Sequence, residues 1–135
     1  MTIQRIHEED LPEDVILLKR PVHIDERGYF LELLSSDMFK HLPEGLSFAQ
    51  HNVSASHQNV FRGMHYQLPP MGQGKLVSCL SGCILDFFMD LRKSSPNFGK
   101  PRACLIYPEQ SLYIPPYYAH GFHVLEYNHD PSIST

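Results

Sequence analysis

The feature that most constrains the fold is a series of short apolar runs separated by turn residues. Such runs recur at intervals of roughly 8–12 residues, at 15–22, 29–34, 60–67, 75–80, 83–90, 103–107, 111–115 and 121–127. The 11 Pro and 8 Gly residues punctuate the chain too often for a helical bundle. Because nothing reads as a βαβ unit, the pattern predicts an all-β sandwich or barrel, in one domain that spans residues 1–135.

Local signals add three expectations to this pattern. The runs 75–80 and 83–90 flank Ser81-Gly82, which predicts a β-hairpin. Residues 46–53 read as a further strand. Ser36 and Asp37 predict a short helical turn that continues to residue 41.

Composition excludes several classes of protein. A hydrophobic share of 42% excludes a wholly disordered chain, and no apolar run approaches the ~18 residues of a membrane span. The first 14 residues are acidic and contain no apolar core, so they do not form a secretory signal. A net charge of −4 and a pI of about 6.1 argue against a nucleic-acid partner.

The charge is unevenly distributed along the chain. Residues 46–111 contain three acidic and six basic side chains, which makes this segment +3 within an acidic protein. A locally positive cleft would suit a small anionic ligand such as a phosphate ester, whereas the alternative is an ordinary solvated surface. The six bases are Arg62, Lys75, Arg92, Lys93, Lys100 and Arg102.

The three cysteines form no metal-binding pattern. Cys79 and Cys83 lie in apolar runs and are expected to be small core residues. The odd number of cysteines, with no signal peptide, predicts reduced thiols and a cytoplasmic location. His120 and His123 form an isolated H-x-x-H, and no carboxylate completes a ligand set, so we expect no bound metal.

A basic trio could carry acid–base chemistry. Arg62, His65 and Lys75 occur within 14 residues. A histidine can abstract a proton, a lysine can stabilise the resulting enolate, and an arginine can hold a phosphate. Strict alternation would place Arg62 and His65 on opposite faces of a strand, but a bulge at Gly63 would bring them together. The alternative is that His65 is only a hydrogen-bonded strand histidine.

Separate sequence blocks in a fixed order carry a resemblance to a known family. VFRGMHYQ, QGKLV, a Gly turn, DFFMDLR and KSSPNFGK occupy residues 60–100. They are flanked by DERGYFLEL (25–33), QHNVS (50–54) and IPPYYAHGFHVL (114–125). Together these blocks resemble the RmlC family, the dTDP-4-dehydrorhamnose 3,5-epimerases. The resemblance covers residues 14–126 and implies a cupin-type jelly roll that forms homodimers, needs no metal and no other cofactor, and binds a nucleotide-diphosphate sugar.

The resemblance also implies roles for individual residues. His65 matches the general base, and Lys75 matches the lysine beside the substrate's C4 ketone. The substrate-binding residues that it implies are Arg62, His120, Gln50, Asn52, Arg27, Phe30 and Glu32. Phe30 and Glu32 resemble residues that a partner subunit presents to the nucleotide.

The sequence departs from the family near its end. The family's proton-donating tyrosine and the downstream aspartate that orients the base have no counterpart, so the jelly roll is expected to be shortened at its C-terminus. Asp86 or Asp90 could replace the orienting aspartate. Two functions therefore stay open: epimerisation of a nucleotide-linked 4-keto-6-deoxysugar in surface polysaccharide synthesis, or a homologue that binds a sugar nucleotide without catalysis. No membrane or nucleic-acid partner is expected.

Overall fold

Two sheets and a hairpin organise the chain. The computed structural model describes residues 2–48, 50–65 and 74–126, and at positions 65 and 126 it describes only the backbone. In this part a 3-10 helix (Ser36–His41) accompanies ten strands. The strands are β1 (Gln4–Ile6), β2 (Ile16–Lys19), β3 (His23–Asp25), β4 (Gly28–Phe30), β5 (Phe61–His65), β6 (Lys75–Ser78), β7 (Cys83–Asp90), β8 (Pro101–Ile106), β9 (Gln110–Ile114) and β10 (Tyr118–Glu126).

The strand order is that of a jelly roll. One four-stranded sheet has the order β1-β2-β9-β6, and the other has the order β5-β10-β7-β8. The chain changes sheet after β5, after β6, after β8 and after β9, and all strand pairs are antiparallel. Strands β3 and β4 form a separate two-stranded hairpin. The predicted all-β sandwich is confirmed.

The predicted hairpin of residues 75–90 is wrong. Strand β6 pairs with β9 in the first sheet, whereas β7 pairs with β10 and β8 in the second. Gly82 has a φ of 85°, a left-handed conformation that glycine adopts without strain, and it lies where the chain crosses between the sheets. Val77 and Phe88 consequently meet in one core from opposite sides. Two apolar runs on either side of a turn can be neighbours in one sheet or can belong to two sheets that face each other, and the sequence pattern is the same in both cases.

The strands predicted at 46–53 and 29–34 and the helical turn predicted at 36–41 have different outcomes. Residues 46–48 and 50–53 form no strand, and Val53 is 80% exposed, so the strand predicted at 46–53 is wrong. The run 29–34 is a strand only as far as Phe30. The helical turn is confirmed as the 3-10 helix, which buries Met38. The predicted strand ends at 66–67 and at 127 lie outside the described residues.

Two apolar clusters hold the layers together. The larger cluster lies between the sheets and includes Val15, Leu17, Cys79, Phe88, Cys104, Ile106, Leu112, Ile114 and Tyr118. The smaller cluster packs the opposite face of the first sheet on the 3-10 helix, through Ile16, Leu18, Met38, Leu42 and Tyr113. Cys79 and Cys83 are buried, as predicted. Burial raises the pKa of the Cys79 thiol to about 11 and that of Cys104 to about 12. None of the described helices is long and apolar enough to cross a membrane.

An ionic cluster fastens the end of β7. Arg92 Nη2 lies 2.8 Å from Asp14 Oδ2 and 2.7 Å from Asp90 Oδ2. The guanidinium stacks 3.7 Å from the ring centroid of Tyr117, and Tyr118 Oη donates a hydrogen bond to Asp14 at 2.7 Å. Burial alone would raise the pKa of Asp90, but hydrogen bonds from Arg92 outweigh it and lower the pKa of Asp90 below its ordinary value. The cluster ties the segment before β2 to the end of β7 and the start of β10.

Asp90→Asn is expected to destabilise the protein by about 2 kcal/mol at pH 7, because Arg92 loses a charged partner. The lowered pKa of Asp90 means that its contribution is present above the unfolded-state value of about 3.9 and disappears as the pH falls through the folded-state value. Urea unfolding at pH 7 and near pH 2.5 measures both. The exposed pair of Asp37 with Lys40 supplies the control, since Asp37→Asn should cost about 0.5 kcal/mol or less. An equal loss for Asp90→Asn at both pH values would contradict this assignment.

Two glycines let β5 and β10 approach closely. A Cβ atom on Gly121 would lie 2.6 Å from Gly63 Cα and 2.7 Å from the Arg62 carbonyl oxygen. A Cβ atom on Gly63 would instead meet the Phe61 ring at 2.6 Å, and that side chain is 60% exposed and can turn away. Backbone atoms cannot yield without separating the strands, so the two glycines differ in what they tolerate.

Gly121→Ala is therefore expected to lower the free energy of unfolding by about 2–3 kcal/mol, and Gly63→Ala by clearly less. Denaturant titration of both variants gives the comparison. A larger loss for Gly63→Ala would show that the strand contact is not the limiting one.

Candidate functional site

The pairing of β5 with β10 brings three predicted site positions together. His120 pairs with His65, and Phe122 pairs with Arg62. Two steps along β10 thus oppose three steps along β5, which is the register shift of a bulge at Gly63 and Met64. The predicted bulge is confirmed, and positions 62 and 65 share one face of the sheet with His120.

That face is the inner one. His120 also pairs with Phe88, and Phe122 pairs with Asp86. Phe88 belongs to the core between the sheets, so its cross-strand neighbours face the first sheet. Position 65 is placed here by its backbone register alone.

Lys75 lies on the facing sheet. It is the first residue of β6 and pairs with Ile114, which is part of the same central core. The register therefore assigns Lys75 to the inner face of its own sheet, while its side chain is exposed. The preceding Gly74 is required here, because a Cβ atom would lie 2.7 Å from the Tyr113 hydroxyl. Lys75 and the group around position 65 thus belong to opposite walls of the sandwich.

His120 has a buried carboxylate as its partner. His120 Nε2 lies 2.8 Å from Asp86 Oδ1, and the two side chains are 12% and 0% exposed. Burial raises the pKa of Asp86, and the nearby His120 opposes this shift. Of the two aspartates considered from sequence, Asp90 is bound to Arg92, so Asp86 is the one beside a site histidine.

The remaining substrate-binding candidates lie at the periphery. Arg62 is exposed and donates a hydrogen bond from Nε to Ser56 Oγ at 2.9 Å. Gln50 Nε2 donates to Asn52 Oδ1 at 3.3 Å in the same long connection before β5. Ser56 belongs to that connection and contacts Arg62, so this polar loop borders the face that carries positions 62, 65 and 120.

The β3–β4 hairpin holds another set of predicted residues. Arg27 pairs with Asp25 at 2.6 Å, and Phe30 is 64% exposed. A surface cavity of about 440 Å³ is lined by this hairpin alone. Glu32 is exposed just beyond it. The Arg27–Asp25 ion pair and the ring contact of His23 with Phe30 both lie within the hairpin itself.

The described tyrosines near the site are engaged elsewhere. Tyr118 bonds to Asp14, Tyr117 stacks on Arg92, and Tyr113 is packed in the smaller core cluster. Tyr127 lies outside the described residues. No three His, Cys, Asp or Glu side chains in the described ranges are grouped as metal ligands.

The sequence did not reveal the partner of His120. Asp86 stands out only as a charge within the apolar run 83–89, and its neighbour comes from a strand 34 residues further along the chain. Ser56, which contacts Arg62, had no distinguishing signal. The six bases of the segment 46–111 do not all line one cleft, because Arg92 is paired with Asp14 and Asp90 in the ionic cluster.

Comparison with known proteins agrees with this geometry. A family described as dTDP-4-dehydrorhamnose 3,5-epimerase matches residues 10–132. The dTDP-4-dehydrorhamnose 3,5-epimerase of Shigella flexneri is 44% identical over 115 residues, which cover 83% of this chain and 64% of that protein. This chain therefore spans less than two thirds of that relative.

Solved structures agree as well. The dTDP-4-dehydrorhamnose 3,5-epimerase of Sulfolobus tokodaii has a TM-score of 0.80 at 40% identity, covering 95% of this chain and 72% of its own. RmlC of Legionella pneumophila, in complex with dTDP-4-keto-L-rhamnose, has a TM-score of 0.83 at 33% identity, covering 93% and 66%. With a cupin jelly roll and a sequence match over most of its length, this chain belongs to the dTDP-4-dehydrorhamnose 3,5-epimerase family.

Proposed function

We propose that this chain epimerises a nucleotide-linked 4-keto-6-deoxysugar in deoxysugar and surface polysaccharide biosynthesis. The observation that carries the proposal is the register that places positions 62, 65 and 120 on one inner face, opposite Lys75. Together with the family relationship, this arrangement supplies a base, a fixed cation and an anion-binding arginine around one space.

The proposed reaction begins with proton abstraction. His65 removes the acidic proton from a carbon next to the C4 ketone. The electron pair moves onto the ketone oxygen, and Lys75 stabilises the enolate from the facing sheet. A proton returned to the opposite face of that carbon completes the inversion. Because a base and a fixed cation suffice, this route draws on no metal and no nicotinamide.

Binding of the nucleotide is assigned to the peripheral residues. Arg62 holds the diphosphate, and its bond to Ser56 limits the freedom of the guanidinium. Gln50 and Asn52 line the nucleotide end. His120 contacts the sugar next to position 65, its cross-strand neighbour.

We further infer that the protein is a homodimer. A two-stranded hairpin is marginally stable alone, yet β3–β4 pairs with no other described strand, and Ile24 and Phe30 are 57% and 64% exposed. A second copy would cover these side chains. It would also receive Phe30 and Glu32 of its partner at the nucleotide end of its own site.

A cytoplasmic location is part of the proposal. The buried Cys79 and Cys104 are thiols rather than disulfides, as expected in a reducing compartment.

Solvent deuterium exchange tests the activity. With dTDP-4-keto-6-deoxyglucose in heavy water, the wild-type protein is expected to incorporate deuterium at C3 or C5, as followed by NMR. Binding of dTDP, measured by calorimetry on the same preparation, is the control for a folded site. Binding without any exchange would establish the sugar-nucleotide-binding homologue instead.

Three variants separate the proposed roles. His65→Asn should abolish exchange and leave dTDP binding nearly intact, because the amide cannot accept a proton near neutral pH. Arg62→Ala should weaken binding by about 2–3 kcal/mol through the lost contact with the diphosphate. Lys75→Ala should lower turnover more than binding, since its partner charge arises only in the enolate. Exchange by His65→Asn at the wild-type rate would show that another group is the base.

Light scattering at micromolar concentration tests the assembly. The wild type should have the mass of a dimer, and Ile24→Asp should shift it toward monomer by placing a charge on the covered face. Leu80, which is 50% exposed in the turn after β6, provides the control: Leu80→Asp should stay dimeric. A monomeric wild type would refute the dimer.

A further inference from the structure

Asp86 is a buried carboxylate that the proposed mechanism leaves without a role. Neither of its oxygens nor His120 Nε2 makes a hydrogen bond of good geometry with a described residue, although Asp86 Oδ1 lies 2.8 Å from His120 Nε2. Its cross-strand neighbours are Cys104 on β8 and Phe122 on β10, and neither carries a positive charge. His120 is therefore the nearest group that can offset the cost of burying this carboxylate.

A carboxylate in this setting is poorly explained as a stabilising residue. Asp90 lies four positions further on the same strand and the same face, and it is bound by Arg92. Asp86 is equally buried, but burial raises its pKa, so the fold disfavours its ionised form. Groups that cost stability in this way concentrate at functional sites.

We propose that Asp86 is a positioning residue that acts through His120. By engaging Nε2, the carboxylate fixes the orientation of the imidazole and leaves Nδ1 as the nitrogen that contacts the substrate. With Nε2–H directed at the carboxylate, Nδ1 can accept a hydrogen bond from a substrate hydroxyl. Because His120 is the cross-strand neighbour of His65, this contact would hold the sugar in place for the base. The inference rests on the proposed function and assigns a role to a residue beyond it.

A double-mutant cycle tests whether Asp86 acts through His120. Asp86→Asn is expected to lower kcat on the order of 100-fold while KM changes less than about threefold, because a small misplacement of a positioning group affects the reaction more than binding. His120→Asn should have a similar effect. The double variant should be no worse than His120→Asn alone. Losses that multiply, or a kcat for Asp86→Asn within twofold of wild type, would overturn the inference.

Asp90→Asn is the matched control, since it removes a buried carboxylate from the same face of β7 outside the site. It should lower the melting temperature and leave kcat unchanged below that temperature. Asp86→Asn should show the reverse, with a melting temperature that is not lowered. A melting temperature for Asp86→Asn that falls as far as that of Asp90→Asn would mark Asp86 as structural.

Nitrogen-15 NMR of the His120 ring provides a readout that does not depend on turnover. The wild type is expected to show a protonated Nε2 protected from solvent exchange, and Asp86→Asn should lose this protection. If the wild type fails to turn over substrate while this signature appears, the proposed function fails and the pairing stands. If the signature is absent, the positioning role is refuted whatever the activity.

Discussion

The close approach of β5 and β10 at Gly63 and Gly121 is the contact on which the candidate site depends. Neither residue has a side chain to hold the strands apart, and a methyl group on Gly121 would collide with backbone atoms. The same approach accommodates the extra residue of β5, which turns positions 62 and 65 to one face. Strict alternation would place positions 62 and 65 on opposite faces of the sheet. The bulge in β5 therefore brings them onto the same face.

Two buried carboxylates on β7 illustrate how one strand serves stability and chemistry. Asp86 and Asp90 lie on the same face and are both fully buried, but their pKa values are pushed in opposite directions. Asp90 ends the strand, so the chain can turn and bring Arg92 back to it. Asp86 lies mid-strand, where only neighbouring strands can supply a partner, and β10 supplies a histidine. Position along the strand thus separates the stabilising carboxylate from the one available for function.

Sequence alone predicted the strands whose apolar content was dense, and it predicted β7 to the residue. It failed where pairing had to be inferred, because β6 and β7 join different sheets across an ordinary glycine turn. The false strand at 46–53 reflects the same limit, since residues 46–48 and 50–53 pair with none of the described strands. For the site, the bulge at Gly63 could be anticipated from one residue. The contact of Asp86 with His120 could not, because it depends on the register of two distant strands.

The division of the site between two sheets has a chemical consequence. Packed sheets stand about 10 Å apart, which leaves room for one sugar ring between a base on one wall and a cation on the other. Lys75 is held at the rim by Gly74, which packs against the buried Tyr113 on the opposite face of the same sheet. Its side chain is exposed and can reach a ligand that enters between the sheets. The backbone of Lys75 in one layer and that of position 65 in the other are each fixed by strand pairing. Electrostatic stabilisation of an enolate requires this preorganisation, because a charge that must first move into place contributes little to the transition state.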